Sequence, residues 1–198
     1  PRSFLTKITA SIIALEKCNP TDKVTVSENV VKQVSGWKSA AAINLEAGEQ
    51  ISVLDLVYSM MLVSANDSLF ALAEFICGGI DKFAVMMEEK AKEIGAESTV
   101  ITSADGKFTS EQYSNAYDLA IICRYCMTNR IFRNIAASDK YTIPATNLNG
   151  PREIQNTNLL VNSRNRRYRY ETAIGIKSGY TARSKSCLAC SALPPARK

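Results

Sequence analysis

Met61-Leu62-Val63-Ser64-Ala65-Asn66-Asp67 is the stretch that decides how this chain folds. Apolar residues at helical spacing lead up to Val63, and a second helical pattern runs from Ser68 to Ile76; the polar tetrad Ser64 to Asp67 interrupts the periodicity between them. Ser52 with Asp55 opens the first of these helices as an N-cap, and Gly78-Gly79 terminates the second. The break places a serine hydroxyl and an asparagine amide at a fixed point between two helices, where both can flank a cleft.

Outward from this point, helices dominate the first two thirds of the chain. Leu5 to Leu15 has helix-spaced apolar residues and is stopped near Cys18-Asn19-Pro20, and Lys23 to Val31 is short and β-branched, which predicts an extended excursion. A further helix is expected from Asp81 to Ile94 with Gly95 as its C-cap, and another from Tyr117 to Thr128. Beyond Ala137 the texture becomes strand-like: Lys140 to Pro144, Ala173 to Lys177 and Ser186 to Ala192, with a turn at Asn147 to Pro151. Helices followed by short strands predict an α+β arrangement, a helical lobe packed on an antiparallel sheet with the cleft between them.

The 198 residues suit a single domain, and 46% hydrophobic with 22% charged residues is a globular composition. No run of 18 apolar residues occurs and no leader precedes Pro1, so neither a membrane span or anchor nor a signal peptide is expected within these residues. Histidine is absent, which removes histidine-based triads and most catalytic metal sites. The six cysteines include Cys123-x-x-Cys126 and Cys187-x-x-Cys190. Zinc binding and burial as small hydrophobes are both open to them, but a strand would point Cys187 and Cys190 to opposite faces, which chelates poorly. No metal and no cofactor is therefore expected.

The net charge of +5 is concentrated in Arg164, Arg166, Arg167 and Arg169, interleaved with Tyr168 and Tyr170. Such a cluster is a solvated loop, a contact for an anionic cell-wall polymer, or a site for nucleic acid.

Without histidine, a nucleophilic serine needs a lysine as its base. Ser3 and Lys7 are four residues apart, and if both are helical a four-residue step leaves their side chains about 40° apart, on one face. Lys177-Ser178-Gly179 follows the apolar run Thr172 to Ile176 and offers a cation, a hydroxyl and a closely approachable backbone to a substrate carboxylate. Each element alone also has a plain reading, as a solvated helical lysine, a helix cap and a turn. Together and in this order they look like the active-site set of the penicillin-recognising serine acyl-transferases.

The likeness extends along nearly the whole chain. Leu5-Thr6-Lys7-Ile8, Met61 to Asp67 with Ala71-Leu72-Ala73-Glu74, Tyr113-Ser114 with Ala116 to Ala120, Tyr141 to Asn147, Asn156-Thr157-Asn158-Leu159-Leu160 and Gly175 to Thr181 resemble the D-alanyl-D-alanine carboxypeptidases, the low-mass penicillin-binding proteins. The resemblance implies a β-lactamase/transpeptidase-like fold. It also implies an extracytoplasmic, cell-envelope enzyme that trims the terminal D-alanine from the peptidoglycan pentapeptide through a serine acyl-enzyme, with β-lactam antibiotics as inhibitors and no nucleic acid partner. Carried over by position, Lys7 is the base, Ser64 and Asn66 form the second motif, and Lys177, Ser178 and Gly179 the third, with Ser178 where the family usually has threonine. Phe4 occupies the column of the nucleophile, and the nearest hydroxyl, Ser3, stands one residue early. The family also has a strand hairpin before the first motif and a further strand after the last, so residues 1–198 are expected to form one such domain, truncated at both ends, with an incomplete sheet. Two activities follow: a carboxypeptidase acylated at Ser3, or an inactive homologue that binds peptidoglycan peptides or β-lactams without acylation.

Overall fold

From Thr6 to Ala14, nine consecutive residues of the first helix are buried. This helix, α1 (Ser3–Lys17), is the axle of the molecule. Its small side chains Thr6, Thr9, Ala10, Ser11 and Ala14 let neighbours approach closely, while Ile8, Ile12 and Ile13 fill the gaps between them. An amphipathic helix with Lys7 in solvent is the simpler expectation from the sequence; instead the helix is enclosed on all sides, as an inner helix must be. The computed structural model describes residues 3–35, 41–106, 111–164, 166–181 and 185–194, with the side chains of Ser3, Phe4, Leu5 and Thr181 outside that description.

Around α1 pack α3 (Val53–Leu62), α4 (Asn66–Cys77), α5 (Ile80–Glu93), α6 (Ala116–Cys126), α7 (Arg130–Ala137) and strand β5 (Ala173–Thr181). Ser52 caps α3 by accepting from the Asp55 amide at 3.1 Å, as the sequence indicates. Gly78, at φ 82°, closes α4 in the left-handed region. The segment Lys23 to Val31 departs from expectation: β1 (Lys23–Thr25) is followed by a helix, α2 (Glu28–Ser35). The Ser27 hydroxyl accepts from the Val30 amide and Glu28 sits in the first turn, and this capping outweighs the β-branched composition.

The described residues form three antiparallel strand pairs. β1 pairs with β2 (Gln50–Ser52), β3 (Lys140–Ile143) with β4 (Arg152–Gln155), and β5 with β6 (Lys185–Ala192). The last pair packs on α7, α1 and α6 and carries the third motif. Buried Glu49 binds the first two pairs together, accepting from Arg152, from Thr146 Oγ1 at 2.9 Å and from Asn149 Nδ2 at 3.2 Å. The architecture is thus α+β, with helices enclosing α1 and one strand pair laid against it. Among the described residues, no helix is long and apolar enough to cross a membrane.

Gly175 sets the distance between β5 and α7. Its φ is +125°, and an added Cβ would lie 2.8 Å from Ala136 Cβ. By contrast, Gly78 has open space around it. Gly78→Ala is therefore expected to cost only the left-handed penalty of about 1 kcal/mol, and Gly175→Ala at least about 2–3 kcal/mol because strain and overpacking combine. Denaturant unfolding of the two variants checks this ordering.

Candidate active site

Lys7 is only 3% exposed, and its ammonium donates to Asn66 Oδ1 at 2.9 Å. This bond joins the second turn of α1 to the first residue of α4. Asn66 is itself fixed, because its backbone amide donates to Ala41 O at 2.8 Å and its Nδ2 to the same oxygen at 3.3 Å. Asp67 holds the strap that provides this oxygen, accepting from the amides of Ile43 and Leu45. The lysine and the asparagine predicted to share a site are thus in direct contact.

Lys177 is more deeply buried still, at 1% exposure, and donates to Met61 O at 3.0 Å at the end of α3. Alternation along β5 sends Lys177 inward and leaves the next residue, Ser178, on the opposite face. Both lysines titrate low. Burial lowers Lys7 to about 8, against a partial restoring effect of Asp105, and burial together with the charge of Lys7 lowers Lys177 to about 7. Two ammonium groups that repel each other in a dry setting share fewer than two protons near neutral pH.

Above this buried layer lies a cavity of about 620 Å³. Ser64, Thr157, Ser178 and Gly179 form its polar side, and Leu159, Tyr168, Tyr180 and Leu188 much of its apolar side. Ser64 has φ +63°, a left-handed conformation that costs a non-glycine residue about 1–2 kcal/mol and turns this residue into the cavity at the break between α3 and α4. The Ser178 hydroxyl donates to Thr157 Oγ1 at 3.1 Å, and Thr157 donates from both its amide and its hydroxyl to Leu62 O.

Of the residues singled out in the sequence, Ser64, Ser178 and Gly179 therefore line the cavity, whereas Lys7, Asn66 and Lys177 lie buried outside its lining. The Ser3 side chain, and with it the separation of Ser3 from Lys7, lies outside the described residues. Thr157 was missed as a site residue; its signal was its place in Asn156-Thr157-Asn158-Leu159-Leu160, beside a third motif in need of a hydroxyl partner. The cysteines are dispersed: Cys123 and Cys126 are buried in α6, where burial pushes the Cys123 thiol up to about 12, while Cys187 lines the cavity and Cys190 is exposed. Among the described residues no group of three metal-ligating side chains comes together.

A lysine with a lowered folded-state pKa binds fewer protons folded than unfolded between that value and its ordinary 10.5. Stability then rises with pH across that window, the cost of burial being complete below pH 7 and relieved towards pH 10. Relative to Lys177→Met, the wild type is expected to gain stability steadily from about pH 7 to about pH 10. Chemical unfolding at several pH values measures this; a difference that stays flat or falls contradicts the burial of a titrating ammonium.

A family model described as D-alanyl-D-alanine carboxypeptidase matches residues 3–196. The D-alanyl-D-alanine carboxypeptidase DacF of Bacillus subtilis is 30% identical over 193 residues, which is 95% of this chain and 46% of that protein. DacB2 of Mycobacterium tuberculosis, of the same description, is 29% identical over 91% of this chain and 58% of its own length. The chain thus spans about half the length of these relatives. Among solved structures, the Streptomyces K15 DD-transpeptidase superposes with a TM-score of 0.84 at 28% identity, covering 98% of this chain and 76% of that one. The D-alanyl-D-alanine carboxypeptidase of Mycobacterium tuberculosis H37Rv superposes at 0.84 with 27% identity, covering 98% and 69%. The α+β architecture is that of DD-peptidases of the β-lactamase/transpeptidase fold, as the sequence leads one to expect.

Proposed function

The chain belongs to the D-alanyl-D-alanine carboxypeptidase family, and from this footing we propose that it is a serine-type carboxypeptidase acting on the peptidoglycan pentapeptide. The observation that carries the reading is the buried Lys7 ammonium, bonded to Asn66 and with its pKa brought down to about 8. A lysine is useful as a base only when an appreciable fraction of it is neutral at working pH. Its neighbour Lys177 contributes to this state once substrate arrives. A substrate carboxylate at Ser178 favours charge on Lys177, and the repulsion between the two ammonium groups then favours loss of the proton from Lys7.

The reaction follows from these roles. Neutral Lys7 takes the Ser3 hydroxyl proton as Oγ attacks the carbonyl carbon of the penultimate D-alanine. The C–N bond breaks, the departing terminal D-alanine leaves with a proton returned through Lys7 or Ser64, and water hydrolyses the resulting ester to regenerate Ser3. A β-lactam opens by the same attack and remains as an ester on Ser3, which makes it an inhibitor. Such chemistry on peptidoglycan places the protein outside the cytoplasm, at the cell envelope. Residues 1–198 form one domain of this kind.

A second reading draws on Phe4, which stands three residues before Lys7 where the family's serine is expected. In it the protein keeps the carboxylate site at Lys177 and Ser178 and binds peptidoglycan peptides or β-lactams reversibly. Incubation with a fluorescent penicillin separates the two. The enzyme reading expects a covalent adduct that is lost in Ser3→Ala and forms at least about 100-fold more slowly in Lys7→Met, the scale of a missing general base. Reversible binding with no mass increase on folded protein favours the second reading and rejects the first.

A further inference from the structure

One wall of the cavity includes Tyr168 from the arginine-rich run that the catalytic reading leaves unused, while none of the run's arginines is among the described lining residues. Tyr168 lines the cavity, and the guanidinium of Arg167 lies over its ring, 5.4 Å from the centroid. The run is anchored: the Tyr170 amide donates to Leu160 O at 2.9 Å, and Leu160 lines the same cavity. Its charges are not equivalent. Arg164 pairs with Glu153 at 3.1 Å, and Arg169 is near enough to Asp139 to help hold that carboxyl below its usual range. Arg166 and Arg167 are exposed and have no acidic partner among the described residues. Among the described residues, no acidic side chain lines the cavity.

We infer that Arg167, supported by Arg166 and seated on Tyr168, recognises a carboxylate carried by the peptide upstream of its scissile end, so that the preferred substrate is an acidic peptide. This rests on the carboxypeptidase reading, which puts the terminal carboxylate at Ser178. A cavity of about 620 Å³ is large enough for several residues of an extended peptide, so one ligand can reach from Ser178 to Tyr168. A guanidinium held over a tyrosine ring by this cation–π contact keeps N–H donors to offer a carboxylate two parallel hydrogen bonds. The distribution of charge disfavours nucleic acid. A phosphate backbone needs a track of free cations, and here two of the four arginines already face carboxylates while the cavity beyond Tyr168 is lined by Leu159 and Leu188.

Two labelled, N-acylated peptides ending in D-Ala-D-Ala, identical except for glutamate or glutamine upstream, provide the test by fluorescence anisotropy. The wild type is expected to bind the glutamate peptide about three- to tenfold more tightly, the scale of one or two exposed charge contacts, with the preference shrinking as salt is raised. In Arg166→Gln/Arg167→Gln the preference disappears while affinity for the glutamine peptide is unchanged. Equal binding of both peptides by the wild type overturns the inference and leaves the carboxypeptidase reading intact, whereas failure to bind either peptide overturns both. Arginine-dependent binding of a single-stranded oligonucleotide of about 12 nucleotides, tighter than that of the glutamate peptide, assigns the wall to nucleic acid and also overturns it.

Discussion

Two lysine ammonium groups buried side by side organise this molecule. Lys7 joins α1 to the start of α4 through Asn66, and Lys177 joins β5 to the end of α3 through Met61 O. Taking ammonium groups out of water is costly, and one hydrogen bond to a neutral oxygen offsets only part of that cost. The fold tolerates the remainder because other features hold the elements in place. The small-residue faces of α1 admit five helices and a strand, Gly175 lets β5 settle against Ala136, and the left-handed Ser64 makes the sharp exit from α3 that puts Asn66 beside Lys7.

The same enclosure separates two tasks. In the carboxypeptidase reading, the lysines that handle protons, Lys7 and Lys177, are buried outside the cavity lining, where burial keeps their pKa values low, and Ser64, Thr157, Ser178 and Tyr168 face the substrate from that lining. Alternation along β5 accomplishes the separation in two residues, Lys177 facing inward and Ser178 facing the cavity. On the proposed function, a substrate carboxylate would then meet the Ser178 hydroxyl directly and the Lys177 cation through the strand. In such an arrangement binding energy can be transmitted into a change of protonation at Lys7.

The motifs were legible in the sequence because each rests on local rules. The Ser52 cap, the break at Ser64 and the Gly78 stop read directly as helix punctuation, and the strand with Lys177 was visible as an apolar run. Less legible was anything that depends on what surrounds an element. The sequence leaves Lys7 open between a solvated lysine and a buried base, because helical spacing says nothing about a helix enclosed on every side, and Ser27 capping is hidden beneath a β-branched composition. Thr157 was marked only by its place in Asn156-Thr157-Asn158-Leu159-Leu160, since its contacts exist only where the Leu62 carbonyl and Ser178 converge on it from distant parts of the chain.

The proposed chemistry turns on burial lowering the Lys7 ammonium from its ordinary 10.5 to about 8. Heteronuclear NMR of protein with isotope-labelled lysine side chains, titrated from about pH 5 to pH 11, measures this directly, with Lys7→Met assigning the resonance. The account predicts a lysine signal, absent from that variant, that titrates near 8. A Lys7 resonance that titrates at its ordinary 10.5, like a surface lysine, would contradict it.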